Sequence, residues 1–266
     1  LGLDSMERVE LLTHLEQMFG TDVPDEAAHK IYTVRELVEA VRPPEGCEAS
    51  GQRGDPWAKL LAAESIETED AFLRELGRSK PLTSLIGFTA MKAAYLLAKL
   101  FLRFRVRGLE NLPQSGPYLL CPNHQSHLDA FLLVAALPYR VMRNLFFVGA
   151  SEYFATPLSA WFAKKVNVVP VDPDANLVRA MQAGAHGLRL GKILILFPEG
   201  ERSIDGQVKK FKKGAPILST HLKAPIVPIA LEGVYEVWPR GRGFRWRSLI
   251  PGLSRTRMHC GAPLPP

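Results

Sequence analysis

The chain of 266 residues is 47% hydrophobic, enough apolar material for a sizeable core, which excludes a disordered polypeptide. Thirty-three Lys plus Arg against 27 Asp plus Glu leave a net charge of +6, which favours an anionic partner without choosing among phosphate, a phospholipid surface and nucleic acid. Three scattered cysteines, Cys47, Cys121 and Cys260, indicate neither a disulfide framework nor a zinc ribbon and fit a reducing cytoplasmic setting.

The first 42 residues are acidic in contrast to the rest. They hold no basic start followed by an apolar run, so no secretory signal is expected. In MERVELLTHLEQMFG, the residues Val9, Leu12, Leu15 and Phe19 recur at helical steps, with Asp4 or Ser5 as cap and Gly20 as a stop. TVRELVEAV predicts a second helix capped by Thr33. Pro43 to Pro56 is rich in Pro, Gly and small polar residues and reads as the start of a linker, 43–80, long enough to hold a helix.

Leu82 to Leu102 is the most apolar stretch, and as a helix it would be roughly 30 Å long, enough to cross a bilayer core. Lys92, Lys99 and Arg103 fall within about 40° of one another on a helical wheel, a basic stripe that argues against simple spanning. The expectation is a helix over 81–104 lying in the membrane interface, apolar face down and lysines among the headgroups. A core helix with snorkelling lysines is the alternative.

Beyond Gly108 short apolar runs, PYLLC, NLFFV, VNVVPV, KILILF and APIVPIAL, alternate with helical patterns such as DAFLLVAAL and LVRAMQAGAHGLRL. That alternation predicts an α/β fold with helices on both faces of a sheet.

Two constellations stand at the ends of such runs. In NHQSHLD, His124 and Asp129 would be about 140° apart on a continuous helix, so they meet only if His124 lies in the turn before it. Ser126-x-x-Asp129 is a helix-start pattern, so Asp129 either completes a capping box or holds an imidazole whose other nitrogen accepts a proton. Spacing alone leaves both standing. A metal at His124, His127 and Asp129 would need a further ligand that no nearby Cys or Glu cluster offers. In LFPEGERSIDG, Glu199 and Arg202 occupy a tight turn after the strand KILI. There an exposed ion pair is the ordinary reading, and an arginine fork at a ligand-binding strand end is the functional one. VKKFKKG enlarges the positive field beside it.

Together NHQSHLD, FPEGERS and APIVPIAL resemble the motifs of the glycerolipid acyltransferase family, in order and separation, over about Phe104 to Leu264. The resemblance implies a mixed, largely parallel sheet flanked by helices, with the catalytic domain at 105–266. It implies that His124 is the general base, that Asp129 orients it, and that Arg202 with Glu199, Gly200 and Ser203 binds the glycerol phosphate. No enzyme nucleophile and no metal is implied, so Cys121 need not act. The chain departs from the family pattern at Glu201, where Thr is frequent, and at Pro173, which follows Asp172 where an arginine is usual. Lys164, Lys165 and Arg179 are the candidate substitutes for that arginine.

LGLDSMERVELL resembles the attachment segment of an acyl carrier protein, in which Ser5 would carry 4′-phosphopantetheine. The order of partial carrier, 1–42, then acyltransferase resembles bacterial ligase, carrier and acyltransferase fusions, so the chain is expected to begin inside a carrier domain. The implied function is transfer of a fatty acyl group from acyl carrier protein or a coenzyme A thioester to a lysophospholipid or glycerol phosphate, at the cytoplasmic face of a bacterial inner membrane. The rivals are an inactive lipid-surface or carrier-docking module and, more weakly, a nucleic-acid binder using RGRGFRWR at 240–247. No nucleic-acid partner is expected.

Overall fold

The computed structural model describes residues 7, 11–12, 15, 33, 36, 55–62, 71–149, 156–172, 176–250 and 253–266. Ser5, most of the carrier-like segment and most of the linker lie outside the described residues. Within that segment the expected cap is present. Thr33 N–H donates to Glu36 Oε2 at 2.9 Å, and Glu36 N–H donates to Thr33 Oγ1 at 3.3 Å, a reciprocal capping box.

The apolar runs pair into one sheet. Its strands are β1 (Arg105–Arg107), β2 (Tyr118–Pro122), β3 (Leu145–Val148), β4 (Val168–Val169), β5 (Ile193–Ile195), β6 (Ile226–Glu232) and β7 (Arg257–Cys260), in the order β1-β7-β6-β2-β5-β3-β4. Only β6 and β7 pair antiparallel; the other neighbours run parallel, giving the mixed, largely parallel sheet expected. Along β2 the side chains alternate between two cores. Tyr118 and Leu120 enter one, and Leu119 and Cys121 enter the other. Both faces are therefore covered, which is why the strand is a continuous apolar run and not an alternating one.

The helices are α1 (Pro56–Ala62), α2 (Ala71–Leu76), α3 (Pro81–Phe101), α4 (Asp129–Ala136), α5 (Tyr139–Met142), α6 (Pro157–Lys165), α7 (Leu177–Arg189) and α8 (Gly214–Leu222). Residues of α3, α4 and α5 pack into the core behind Tyr118, and residues of α1, α2, α7 and α8 pack into the core behind Leu119. Because β2 and β5 are parallel neighbours in register at Leu120 and Ile195, their carboxyl ends open side by side. That geometry brings the two sequence constellations together.

Helix α3 begins at Pro81, whose fixed φ suits a first helical position. Its outward face carries Leu82, Leu85, Ile86, Leu96, Leu97 and Leu100, each more than half exposed. The sequence expectation is corrected here for Lys92, while Lys99 is exposed as expected. Lys92 turns inward and donates to the carbonyl oxygens of Ala135 and Ala136, at 2.8 and 3.3 Å, closing the carboxyl end of α4. Its ammonium also lies 5.2 Å from the rings of Phe88 and Tyr95, and burial lowers its pKa. A wheel gives the angle between residues but not which side the protein takes. Lys92→Met is therefore expected to lower stability by about 1 kcal/mol, seen as a lower Tm, and to leave vesicle binding unchanged. A headgroup lysine would give the reverse pattern.

Candidate active site

After Pro122 the chain leaves the sheet, and the buried Asn123 fixes the point of departure. Its amide donates to Leu231 O at 3.0 Å and accepts from Leu231 N–H at 2.6 Å, on the neighbouring strand β6. His124 follows in the turn. Its Nδ1 lies 2.8 Å from Asp129 Oδ2, and Asp129, at the first position of α4, is completely buried. Because this carboxylate accepts from Nδ1–H, the ring presents Nε2 as its proton acceptor.

The cap and the dyad turn out to be one arrangement. Asp129 Oδ2 also accepts the backbone N–H groups of Gln125 at 2.6 Å and Ser126 at 2.7 Å, the second of which is half of the expected capping box. The other half is not made. The Ser126 hydroxyl accepts from Leu128 N–H at 3.2 Å and donates to Trp238 O at 2.7 Å, tying the turn to the segment after β6.

Across the sheet end, Phe197 stacks on the His124 ring with centroids 3.9 Å apart. Glu199 is buried, and both its oxygens are taken by main-chain donors, His124 N–H at 2.7 Å and Lys209 N–H at 2.9 Å. Ser203 N–H returns the connection by donating to His124 O at 2.8 Å. The buried Ser203 hydroxyl donates to Asp205 and accepts from Gly206 N–H, both at 2.9 Å. Gly200 adopts φ +77°, a left-handed conformation that any other side chain would strain.

Arg202 faces His127, donating from Nη1 to Nδ1 at 2.9 Å. Burial, and then the Arg202 guanidinium, lower the His127 pKa, so that ring stays neutral and accepts. His127 also packs against Trp238 at 4.9 Å. Glu201 pairs with Lys209 at 2.7 Å and with Arg240, and hydrogen bonds from these two cations pull its carboxyl down to about 2. Arg240 also donates to Arg202 O at 3.2 Å. Cys121 is buried on β2 with its thiol pushed up to about 12, so it carries no thiolate at neutral pH.

His124, Asp129, Glu199, Gly200, Arg202 and Ser203 thus gather at one end of the sheet. The candidate substitutes for a second phosphate-binding arginine do not all join them. Lys164 and Lys165 close α6 just before β4 begins, which puts them at the opposite end. Arg179 lies in the first turn of α7, and Pro173 lies outside the described residues. Sequence reasoning missed the partnership of Arg202 with His127 and the brace from Arg240, because the pairs are 75 and 38 residues apart. The clustered arginines of 240–247 were the available signal.

The sequence profile of the family described as Acyltransferase matches residues 103–232, and that of the phosphopantetheine attachment site matches residues 1–41. The chain is 34% identical over 148 residues to a chloroplastic 1-acyl-sn-glycerol-3-phosphate acyltransferase of Arabidopsis thaliana, covering 53% of this chain and 39% of that protein. It is 28% identical over 164 residues to the 1-acyl-sn-glycerol-3-phosphate acyltransferase of Pseudomonas aeruginosa, covering 59% and 60% respectively. The chain therefore spans less than two thirds of the length of these relatives. The crystal structure of the 1-acyl-sn-glycerophosphate (LPA) acyltransferase PlsC from Thermotoga maritima superposes with a TM-score of 0.55 at 25% identity, over 69% of this chain and 71% of that one. Residues 103–232, which carry both the His124 turn and the Glu199 turn on this shared fold, match the acyltransferase family profile.

Proposed function

We propose that the chain moves a fatty acyl group from a carrier-protein or coenzyme A thioester to a hydroxyl of glycerol phosphate or a lysophospholipid, with 1-acylglycerol 3-phosphate the foremost acceptor. The observation that carries this reading is the pairing of His124 Nδ1 with the buried Asp129 beside the half-buried Arg202. His124 Nε2 takes the proton of the acceptor hydroxyl as its oxygen attacks the thioester carbonyl. The tetrahedral intermediate then expels the thiolate, which takes that proton back from the imidazolium. Asp129 holds the ring and stabilises its charged form during the exchange. Arg202 binds the acceptor phosphate, one terminal nitrogen being fixed by His127 and the rest of the fork facing the anion. Glu199, Gly200 and Ser203 support binding by shaping the turn that presents Arg202.

The named relatives and the match at 1–41 support a thioester donor and a glycerol phosphate acceptor. Attachment of 4′-phosphopantetheine to Ser5 in the carrier segment belongs to the same reading. Helix α3 is long and apolar enough to cross a membrane, and its exposed leucines support docking at a membrane surface; the cytoplasmic face of a bacterial inner membrane belongs to the same reading.

The test is acyl transfer by purified protein from labelled acyl-CoA and acyl carrier protein to lysophosphatidic acid and other lysophospholipids on vesicles. Labelled diacyl product supports the proposal. No product, with vesicle binding intact, would overturn it in favour of a lipid-surface module. Arg202→Ala is expected to raise the acceptor KM about 10- to 100-fold with a smaller effect on kcat, since charge-assisted bonds contribute about 1.5 to 3 kcal/mol.

A further inference from the structure

Four arginines converge on the outer edge of the sheet, away from Arg202. Arg103, Arg105, Arg255 and Arg257, with Thr256, line a shallow cavity of about 150 Å³. Arg105 and Arg257 are in-register partners on β1 and β7, and both are exposed. Their neighbours join the same rim through the backbone, Arg105 N–H donating to Thr256 O at 3.1 Å and Thr256 N–H to Leu102 O at 3.1 Å.

Two features of this cluster ask for a ligand. The first is charge. Like charges opposite one another on adjacent strands repel, yet among the described residues the one carboxylate paired with them is that of Glu232, 3.8 Å from Arg257. Arg103, Arg105 and Arg255 form no ion pair among the described residues. The second is backbone. Arg103 follows the last turn of α3 with φ 49°, a left-handed conformation in which glycine or asparagine is usual. The turn is fixed on both sides, by Phe104 N–H donating to Ala98 O at 3.2 Å and Thr256 N–H to Leu102 O, so this arginine stands on a held backbone.

Topology places the cavity usefully. Because β7 runs antiparallel to β6 and β1 runs parallel to β7, both strands start at the end where β2 and β5 finish. The arginines therefore share the His124 end of the sheet, with β7 about 10 Å from β2 across it.

We propose that Arg103, Arg105, Arg255 and Arg257 bind a phosphate group at a site distinct from the one at Arg202, either the headgroup phosphate of an anionic phospholipid or a free phosphate ester. Guanidinium forks match phosphate oxygens in pairs, and four of them around a cavity of this size suit one tetrahedral anion. The proposal concerns binding and stands apart from acyl transfer.

The experiment compares the wild type with Arg105→Gln/Arg255→Gln in two arms. In the first, flotation with phosphatidylcholine vesicles, with and without about 30% phosphatidylglycerol, reads the preference for anionic lipid. In the second, calorimetry without lipid reads binding of glycerol 3-phosphate and inorganic phosphate. A loss of anionic preference on the order of fivefold per arginine removed, with binding to pure phosphatidylcholine unchanged, identifies the headgroup as the source. A loss confined to the calorimetric arm identifies a soluble phosphate ester. Equal behaviour of wild type and variant in both arms overturns the site. Failure of the wild type to bind pure phosphatidylcholine counts against docking by α3 and leaves the calorimetric comparison decisive. Should the double variant unfold, Arg255→Gln alone, in an exposed loop, carries the same comparison.

Discussion

Replacing His124 with alanine is expected to lower acyl transfer by about 10² to 10⁴, equivalent to roughly 3 to 5 kcal/mol of barrier, while leaving Tm within a few degrees of the wild type. The side chain is only partly buried, and its ring makes the single hydrogen bond to Asp129 and a stack on Phe197. The connections that hold the turn run through the main chain of residue 124, to Glu199 and Ser203, and alanine keeps them. Turnover within tenfold of normal in a folded His124→Ala protein would remove the base from the mechanism, because the thioester reaction would then be running without it.

Asp129 separates the positioning role from the structural one. Asp129→Ala leaves the His124 ring and the N–H groups of Gln125 and Ser126 without the fully buried acceptor they share. At about 1 to 3 kcal/mol for each of these three donors, with His124 and Gln125 only partly buried and so near the low end, the expected destabilisation is on the order of 3 to 5 kcal/mol, a large share of a domain's total stability. Asp129→Asn is the informative variant. Its amide oxygen still accepts from the main chain and preserves the turn, but its negative charge is gone and the imidazolium formed during transfer is no longer stabilised. The expected result is a near-normal Tm with kcat reduced about 10² to 10⁴. A folded Asp129→Asn protein with full activity would leave this carboxylate a helix cap and nothing more.

How much of this was legible in the sequence depended on how local each signal was. The central strands β2 and β5 announced themselves as PYLLC and KILILF because both of their faces are covered. The edge strand β1 and its neighbour β7 did not. RVR and RMHC bury only alternate residues, Val106 reaching the core beside Met258 and Cys260, and their exposed positions are mostly basic. Short strands half open to solvent look like loops to any count of apolar residues. The dyad was readable once two motifs of fixed spacing were seen together, since five residues of chain leave few ways for His124 to meet Asp129. The position of Lys92 was not, because helical periodicity is blind to which neighbour waits on which side. The Arg202 environment also depends on tertiary structure. His127 reaches it from the β2 side and Arg240 from beyond β6.

The reciprocal main-chain ties between residue 124 and the segment 199–209 have a consequence for fidelity. An acyl thioester is also a target for water, and a base that stayed ordered after its acceptor-binding loop had swung away would hydrolyse the donor. Here the loop and the turn that carries the base are joined through the main chain of residue 124, to Glu199 and to Ser203, so displacing one is expected to strain the other. A variant that cuts either tie is therefore expected to lose transfer and donor hydrolysis together, not to trade one for the other.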